Sequence, residues 1–595
     1  MSRRATRTAD NRNVGLHSAL VKPVRWIRSV RFLMLLCGAL LVLTFPDANL
    51  EFLAWFGLVP GLVLIVRSPT AREGGVRAWW LGAGYLIAAL YWMAPEIGPG
   101  VLLVAAVFGV LWVPFGVAAQ KLLRPPLSWP RALAALVVVP SGWLLTEWLR
   151  SWQALGGPWA VLGVSQWQHP AILALAAVGG VWLISFVLVL CNVAVVLLLT
   201  SLPRVGAAVL PGASWRWGLA ALGVAAGLAS VFAGPLAFAL TPPSPAVRQV
   251  TIALVQPGVI SNASLAAHAS QTLTAELSRG ATLGGVRPDL IVWGESSVGY
   301  DLDTHASLLR QLARLSAADG AQLLVNQDSI APDGAKSKVA VLIGGNGIDG
   351  RYVKTRLVPF GEYIPFRQQL GWLATISKAA PQNVIPGTGA HVMRVTLPSG
   401  RPLTIGVLIC FESAFPDMSR VDTDHGAQMT IYQTSDSTWQ AGWEQWVLAQ
   451  HASLGALRAA ETGRPVVQAA LTGDSAAFDA RGRLLAWAGP SERGVTLVRL
   501  GLPPASARTP YDRLGDYVPW TATGITVIAA ACALIRTGRK RRAGIRPHRP
   551  ARIPLDRNLT HGSSVTVASD SAGKASVPRS PVPGGEADPA LRADP

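Results

Sequence analysis

Repeated long apolar stretches constrain the fold of this chain more than any other feature of its sequence. Most of them approach the length of about 20 residues that a helix needs to cross a lipid bilayer. Of the 595 residues, 51% are hydrophobic and only 14% are charged, whereas a soluble domain carries about 25% charged residues. This composition excludes a disordered protein, a coiled coil and an ordinary soluble enzyme, and it predicts an integral membrane protein. We expect about eight spanning helices, near residues 31–46, 50–66, 77–96, 100–120, 131–149, 171–200, 215–240 and 517–535.

The positive charge of the chain is concentrated beside these apolar stretches. Of a formal net charge of +19, residues 1–31 contribute +7 and residues 536–552 contribute +8. Basic segments next to membrane helices mark the cytoplasmic side, and the loops between the first seven stretches alternate between basic and non-basic. We therefore expect a multi-pass protein of the cell membrane with both termini in the cytoplasm and residues 245–510 on the extracytoplasmic side. A nucleic-acid partner is not expected, because the position of the charge already has this explanation.

Residues 245–510 follow a different pattern. Short β-branched runs alternate with helical stretches, which is typical of an α/β domain built on buried sheets. The expected strands are 249–256, 290–293, 322–326, 339–343, 403–409, 429–433 and 465–470, and the expected helices are 262–279, 303–318 and 442–462. The expected domain organisation is a basic N-terminus at 1–30, seven spans at 31–244, the α/β domain at 245–510, a last span at 511–535 and a basic, then disordered, tail at 536–595.

Three polar residues lie at the ends of strand-like runs, where α/β domains commonly place their sites. These residues are Glu295, Lys354 and Cys410, and Cys410 is the only one of the four cysteines in the α/β segment. A thiol nucleophile needs a base, and it needs a positive group for the oxyanion that forms on attack. Glutamate, lysine and cysteine can supply these roles. Each residue alone has a simpler interpretation, as a solvated cap, a surface charge or a buried thiol, so their positions alone do not establish a triad.

The residues around these positions resemble those of one family. The run YVKTRLVPFGEYIP at 352–365 resembles the Y-x-K-x-x-L-V-P-F-G-E-x-x-P segment of the apolipoprotein N-acyltransferases, which are nitrilase-like enzymes of bacterial membranes. Further segments are similar and keep the family's order: WGES at 293–296, LICFE at 408–412, SDSTW at 435–439 and RAAETGRP at 458–465. In and beside the membrane part, segments at 36–40, 145–150 and 509–516 are similar too.

The resemblance implies a helical membrane bundle of about eight spans that carries an extracytoplasmic nitrilase-like α-β-β-α sandwich. It also implies a phospholipid-dependent apolipoprotein N-acyltransferase. Cys410 would attack the sn-1 ester of a membrane phospholipid, Glu295 would be the general base, and Lys354 would stabilise the oxyanion together with a backbone N–H near Phe411. The acyl group would then pass from the Cys410 thioester to the α-amine of the S-diacylglyceryl cysteine of a lipoprotein after signal-peptide cleavage. No cofactor and no metal are expected.

The same resemblance implies roles for neighbouring residues. Glu362 and Glu412 would orient Lys354 and the nucleophile, and Tyr363 and Trp439 are expected to contact the lipid substrate. Each carboxylate also has a structural interpretation, and most aromatic residues in such chains serve packing.

The chain departs from the family pattern at positions near the expected site. Gly294 stands where a proline is usual, which predicts a looser turn before the base. Phe411 replaces a usual tyrosine, so a phenol hydroxyl beside the nucleophile is missing. None of these departures removes a member of the expected triad, and they bear on donor preference and rate.

Two other functions remain open at this point. A membrane-anchored amidohydrolase of the same superfamily would share the fold and the triad, and would differ only in using water as the final acceptor. A membrane scaffold without catalysis would anchor a partner enzyme through its helices or its basic tail. The family-like segments of the membrane part favour the transferase over the amidohydrolase, and the intact Glu295, Lys354 and Cys410 set argues against the scaffold.

Overall fold

The computed structural model describes most of the chain between residues 29 and 544, namely residues 29–202, 214–258, 263–282, 286–330, 334–376, 380, 383–439 and 442–544. The chain divides into one compact unit, Met1–Leu534, and a second unit, Ile535–Pro595. The domain boundary expected near residue 244 lies inside the first unit, so that division stays a prediction. The predicted terminal segments, 1–30 and 536–595, fall largely outside the described residues.

The apolar part of the chain is helical. Its α-helices are α1 (Val30–Ala39), α2 (Val59–Val66), α3 (Ala71–Ala89), α4 (Ala94–Ile97), α5 (Gly100–Gly109), α6 (Val113–Leu123), α7 (Trp129–Arg150), α8 (Pro170–Ser201) and α9 (Ser214–Leu240). Short 3-10 helices join or extend them at Leu40–Thr44, Glu51–Trp55, Tyr91–Met93, Val110–Trp112, Gln153–Leu155 and Leu162–Gln166. A proline lies in the first turn of α2, α4, α6, α7 and α8, where its missing N–H would have no partner inside the helix.

Several helices are long and apolar enough to cross a membrane. Within the described residues, five meet this condition by length and composition: Gly100–Leu123, Trp129–Arg150, Pro170–Ser201, Arg216–Leu240 and Tyr517–Arg539. Val30–Thr44 and Glu51–Val66 are apolar but shorter. The stretch expected at 77–96 forms α3 and the turn after it, and α3 is not among the five. The chain is therefore a membrane protein with several apolar helices, and the total of about eight spans stays a prediction.

The later part of the chain forms two sheets. Its strands are β1 (Arg248–Gln256), β2 (Leu290–Trp293), β3 (Gln322–Ile330), β4 (Lys336–Gly344), β5 (Gly347–Val353), β6 (Val392–Thr396), β7 (Pro402–Ile409), β8 (Met429–Thr434), β9 (Val466–Ala470), β10 (Ser475–Phe478), β11 (Leu484–Ala488) and β12 (Gly494–Leu502). The described strands are ordered β12-β1-β2-β3-β4-β5 in one sheet and β11-β10-β9-β8-β7-β6 in the other. Strands β1, β2 and β3 are parallel, as are β7, β8 and β9, and antiparallel strands flank both groups.

Helices cover the outer faces of the two sheets. Those that follow α9 are α10 (Ala263–Thr282), α11 (Ala306–Asp319), α12 (Arg367–Leu370), α13 (Leu373–Ile376), α14 (Pro416–Asp424), α15 (Trp446–Thr462), α16 (Pro510–Leu514) and α17 (Tyr517–Gly544). Helices α10 and α11 pack on the first sheet and α14 and α15 on the second, while β1 and β2 of the first sheet face β9 of the second. Across this interface, Gln433 Nε2 on β8 donates to the Trp293 carbonyl on β2 at 2.8 Å. The result is the expected α-β-β-α sandwich.

A kink in α8 joins the membrane helices to this sandwich. At Gly180, where φ is +70°, the backbone lies so close to the Tyr511 ring that a Cβ would stand 2.7 Å from it. The N–H of Val181, which comes next, donates to Glu461 Oε1 on α15 at 2.8 Å. We call Glu461, its ion-pair partner Arg458 and these α8 contacts the junction cluster.

Candidate active site

Cys410 ends strand β7 in a sharp turn. It begins a 3-10 helix, Cys410–Ala414, and its φ of +54° lies in the left-handed region that residues other than glycine rarely adopt. Such a conformation costs of order 1–3 kcal/mol and persists only where the surroundings hold it. Burial, followed by the charge of Glu295, raises the pKa of the Cys410 thiol well above its ordinary value. The thiol is therefore protonated at neutral pH and needs a base to become a nucleophile.

Glu412 ties this turn to the segment that follows β5. Its side chain is completely buried, and both carboxylate oxygens accept hydrogen bonds. The donors are the N–H of Ile409 at 2.7 Å, the Tyr352 hydroxyl at 2.7 Å, and the N–H groups of Thr355 at 2.7 Å and Arg356 at 2.9 Å. Because these donors lie on both segments, Glu412 fixes their separation. This geometry fits the predicted orienting role, which stays a prediction.

Lys354 lies between two carboxylates. Its Nζ donates to Glu295 Oε1 at 3.1 Å and to Glu362 Oε1 at 2.7 Å, and its side chain is completely buried. Burial lowers the pKa of Lys354, but the charges of Glu295 and Glu362 outweigh burial and place this pKa well above its ordinary value. Lys354 therefore keeps its positive charge. The other oxygen of Glu362 accepts from the Val358 N–H at 2.8 Å, which holds this carboxylate in its own loop.

The turn after β2 brings Glu295 to this place. At Gly294 a Cβ would stand 2.0 Å from the Leu471 nitrogen, so glycine allows a close approach of two backbones. The Glu295 N–H donates to the Thr434 carbonyl at 3.1 Å. Glycine here gives tight packing, so the looser turn expected from the sequence is not found. Ser296, the next residue, has a φ of +54°.

Glu295, Lys354 and Cys410 line one cavity of about 460 Å³. Glu362 and Trp439 line it as well. Part of its wall comes from the region of α4, through Trp92, Met93 and Glu96. The cavity therefore lies between the sandwich and the helical part of the chain, and a ligand inside it contacts both.

The three predicted aromatic residues lie in different places. Trp439 lines the cavity, and its Nε1 donates to the Trp92 carbonyl at 2.8 Å. Phe411 stacks on the Trp159 ring, with ring centroids 6.2 Å apart. Tyr363 is not among the described residues that line the cavity, and its hydroxyl donates to a carbonyl in the turn after α7 at 2.8 Å. Contact of Trp439 and Tyr363 with substrate stays a prediction.

The sequence analysis missed two further lysines that line the cavity, Lys336 and Lys338. Lys338 lies on β4, and its Nζ contacts Asp328 Oδ1 at 2.8 Å and Ser296 Oγ at 2.5 Å. Burial lowers the pKa of Lys338, but the charges of Glu295 and Asp328 outweigh burial and raise it. Period-2 alternation places Lys336 and Lys338 on the same face of β4. The strand expected from the sequence began at residue 339, so both lysines lay outside it.

A buried histidine and aspartate were also missed. His451 Nδ1 lies 3.0 Å from Asp436 Oδ1, and His451 Nε2 lies 3.1 Å from the Cys410 carbonyl oxygen. Ligand atoms of Cys410, Asp436 and His451 lie within 4.8 Å of one another, so they could hold a metal ion. However, both His451 nitrogens face oxygen atoms that accept hydrogen bonds. Neither nitrogen therefore presents a free lone pair to a metal ion. His451 lies in the middle of a helix, and nothing in its sequence context pointed to the site.

Comparison with known proteins identifies the family. The model of the apolipoprotein N-acyltransferase N-terminal domain matches residues 37–194, and the carbon-nitrogen hydrolase model matches residues 251–506. An apolipoprotein N-acyltransferase from Allorhizobium ampelinum is 34% identical over 438 residues, which cover 68% of this chain and 76% of that protein. The chain belongs to the apolipoprotein N-acyltransferase family. It is thus an acyltransferase with a nitrilase-like domain, and the recognition made from its motifs is confirmed.

Other members and a solved structure are similar too. The apolipoprotein N-acyltransferase of Sinorhizobium fredii is 30% identical over 500 residues, which cover 78% of this chain and 88% of that protein. Saccharomyces cerevisiae Nit3, a member of the nitrilase superfamily, is 16% identical, with a TM-score of 0.31 over 43% of this chain and 91% of Nit3.

Proposed function

We propose that this enzyme transfers an acyl chain from a membrane phospholipid to the amino terminus of a diacylglyceryl-modified lipoprotein, through a thioester on Cys410. One observation carries this proposal. Lys354 is buried between Glu295 and Glu362 in a cavity that Cys410 also lines, in a chain of the apolipoprotein N-acyltransferase family. A base, a fixed cation and a thiol therefore line the space that a substrate would enter.

In the first half-reaction, Cys410 Sγ attacks the sn-1 ester carbonyl of the phospholipid. Glu295 takes the thiol proton as general base. The negative charge that develops on the carbonyl oxygen is stabilised by Lys354 and by the backbone N–H of Phe411. The ester C–O bond then breaks, the proton passes from Glu295 to the leaving oxygen, and lysophospholipid departs while the acyl group stays on sulfur.

In the second half-reaction, the neutral α-amine of the acceptor cysteine attacks the thioester carbonyl. Glu295 takes a proton from the amine, an N–C bond forms, and the C–S bond breaks. The proton returns to Cys410, so the enzyme is restored and the lipoprotein carries an amide-linked acyl chain. Glu362 and Glu412 act as positioning residues, Glu362 for Lys354 and Glu412 for the nucleophile turn.

The proposed setting is the outer surface of the cell membrane. About eight spans anchor the enzyme, both termini lie in the cytoplasm, and the α/β domain lies on the extracytoplasmic side. Trp92, Met93 and Glu96 of the helical part line the cavity, which supports a substrate held in the bilayer. Protease protection of a tag at either terminus, in cells with an intact inner membrane, tests this arrangement: a tag cleaved from outside overturns it.

Mass spectrometry of the Cys410 peptide tests the chemistry. We expect full-length enzyme incubated with phospholipid vesicles alone to gain one acyl chain on this peptide, released by neutral hydroxylamine. The adduct should be absent in Cys410→Ser and Glu295→Gln. Cys532→Ser is the matched control, because Cys532 is an exposed free thiol on α17, and this variant should keep the adduct.

Addition of an acceptor distinguishes the transferase from an amidohydrolase that uses water as the final acceptor. A synthetic diacylglyceryl-cysteine peptide should discharge the adduct and become N-acylated. Release of free fatty acid without acylation of the peptide would support an amidohydrolase instead. Folded protein that forms no adduct with several phospholipids would overturn the thioester mechanism.

A further inference from the structure

The buried side chain of His451 has two nitrogens that both face acceptors. Nδ1 lies 3.0 Å from Asp436 Oδ1, and Nε2 lies 3.1 Å from the carbonyl oxygen of Cys410. A carbonyl oxygen only accepts hydrogen bonds, so Nε2 must carry a hydrogen. An ionised carboxylate also only accepts, so Nδ1 must carry one too. A neutral imidazole has a single N–H and cannot satisfy both contacts.

Two other arrangements fit these contacts less well. A proton shared by imidazole and carboxyl could lie on Asp436, but the groups around His451 raise the pKa of the imidazole, so the proton favours His451. The hydroxyl of Thr434 could donate to Nδ1, but this contact is 3.4 Å, longer than the contact with Asp436. Both comparisons favour an imidazolium paired with an aspartate.

We propose that His451 is a doubly protonated positioning residue that holds the Cys410 carbonyl and places a fixed positive charge behind the nucleophile. The inference rests on the proposed role of Cys410 as the attacking thiol. Cys410 has a φ of +54°, and the His451 bond to its carbonyl is one of the contacts that hold this peptide. The imidazolium also favours the thiolate over the thiol, since an opposite charge nearby stabilises the charged form.

This protonation state excludes a Cys410–His451–Asp436 triad of the kind in which histidine is the base. An imidazolium has no lone pair to accept the thiol proton. Its Nε2 is also committed to the backbone oxygen of Cys410. The proton from Cys410 therefore goes to Glu295, and His451 contributes charge and orientation.

The charges around His451 support this state. Burial lowers the pKa of His451, but Asp436, the Cys410 carbonyl and Glu295 outweigh burial and raise it. The facing groups are Asp436 beyond β8, Cys410 beyond β7 and Glu295 beyond β2, and Asp474 between β9 and β10 also interacts with His451. The carboxylates among them favour the charged imidazole.

The pH dependence of Cys410 alkylation tests the proposal. Full-length enzyme in phospholipid-free detergent is treated with iodoacetamide between pH 5 and 10, and the rate of alkylation of the Cys410 peptide at each pH is measured by mass spectrometry. His451→Gln keeps one N–H donor but removes the charge, so we expect the alkylation rate at each pH to fall about 10–100-fold, which corresponds to a rise of about one to two units in the pKa of Cys410. Asp436→Asn removes both the carboxylate partner of His451 and a negative charge that raises the pKa of Cys410, so it should slow alkylation less than His451→Gln does.

His425→Gln is the matched control, because the His425 side chain is exposed and, among the described contacts, bonds only to the Val421 carbonyl. This variant should keep the wild-type alkylation rate. An unchanged alkylation rate in folded His451→Gln overturns the proposal. If His451→Gln fails to fold, His451→Asn, which also keeps an N–H donor and lacks the charge, decides in the same way. The assay needs no acyl donor, so failure of phospholipid to acylate Cys410 would overturn the proposed function and leave this inference standing.

Discussion

Two buried ionic clusters in this enzyme look alike by charge and burial, and differ in what surrounds them. In the cavity, Lys354 lies between Glu295 and Glu362. In the junction cluster, Arg458 pairs with Glu461 at 3.1 Å, and both side chains are at most 1% exposed. The first cluster lines a cavity of about 460 Å³. In the junction cluster, Glu461 accepts a hydrogen bond from the Val181 N–H of α8.

The difference teaches that burial of charge does not by itself mark a catalytic group. Burying an ion costs several kcal/mol, and the partner and hydrogen bonds of the ion must offset that cost. At the junction cluster the charges connect two parts of the fold. In the cavity the same kind of charges face space that a substrate can fill. We therefore expect changes in the cavity to act on rate and changes at the junction to act on stability.

The largest expected contrast is between two glutamate-to-glutamine changes. Glu295→Gln removes the general base and should lower acyl transfer by about 10²–10⁴-fold. Glu461→Gln should change the rate per folded molecule by less than about 3-fold, since Glu461 does not line the described cavity. Both rates are measured with phospholipid donor and diacylglyceryl peptide acceptor, and normalised to folded enzyme. A comparable loss in both variants would show that the junction takes part in catalysis.

The second contrast concerns stability. Arg458→Met leaves Glu461 buried without its partner and should cost about 3–5 kcal/mol. Lys354→Met should cost less, because Glu295 and Glu362 face a cavity that water can enter. Thermal unfolding in detergent compares the two variants, and the double variant Arg458→Met/Glu461→Leu should regain part of the lost stability. An equal fall in Tm for Arg458→Met and Lys354→Met would contradict the comparison.

The sequence predicted the cavity cluster better than the junction cluster, for physical reasons. Glu295 and Cys410 follow strands that are buried apolar runs, and such runs are visible in sequence. Lys354 follows the less buried strand β5, and the family-like residues around it identified its position. Helices near 262–279, 303–318 and 442–462 and all seven expected strands are confirmed, with small shifts at their ends.

What the sequence did not show depends on contacts between distant segments. Strands β5, β6, β10, β11 and β12 were not predicted. Edge strands such as β5, β6 and β11 are less uniformly buried, so their apolar signal is weaker. His451 and Glu461 lie on one helix, and only folding places one behind the nucleophile and the other against α8. Neither position could be inferred from spacing.

The third prediction uses pH to separate the clusters. Burial raises the pKa of Glu461 to about 7, well above its ordinary value. Its folded pKa exceeds its unfolded one, so the folded state binds more protons, and the stability this supplies below about pH 4.5 is lost as pH rises through about 7. Burial and the charge of Asp436 raise the pKa of Asp474 to about 7 as well, and this acts in the same direction.

Thermal unfolding at pH 5, 6, 7 and 8 measures this effect. The Tm of the wild-type enzyme should fall across this range, and Glu461→Gln should fall less steeply because glutamine does not titrate. Asp474→Asn should remove a further part of the slope. If Glu461→Gln keeps the full wild-type slope, the buried carboxyl of the junction is not the group that titrates.

The smallest effect is expected at Lys338, which lies at the edge of the cavity cluster. Its Nζ contacts Asp328 and Ser296, and its side chain is 25% exposed. Lys338→Met removes a positive charge that faces the cavity, so the acidic limb of the rate profile should move to higher pH. Because Asp328 and solvent already screen this charge, we expect a shift below about one pH unit. Lys336→Met removes an exposed charge that also lines the cavity, so it is the comparison and should move the profile less than Lys338→Met does. The measurement is the profile of kcat/KM against pH. An equal shift in both variants would assign the effect to the general positive charge of the cavity. A fall in kcat/KM of more than about 100-fold in Lys338→Met alone would make Lys338 part of the catalytic machinery.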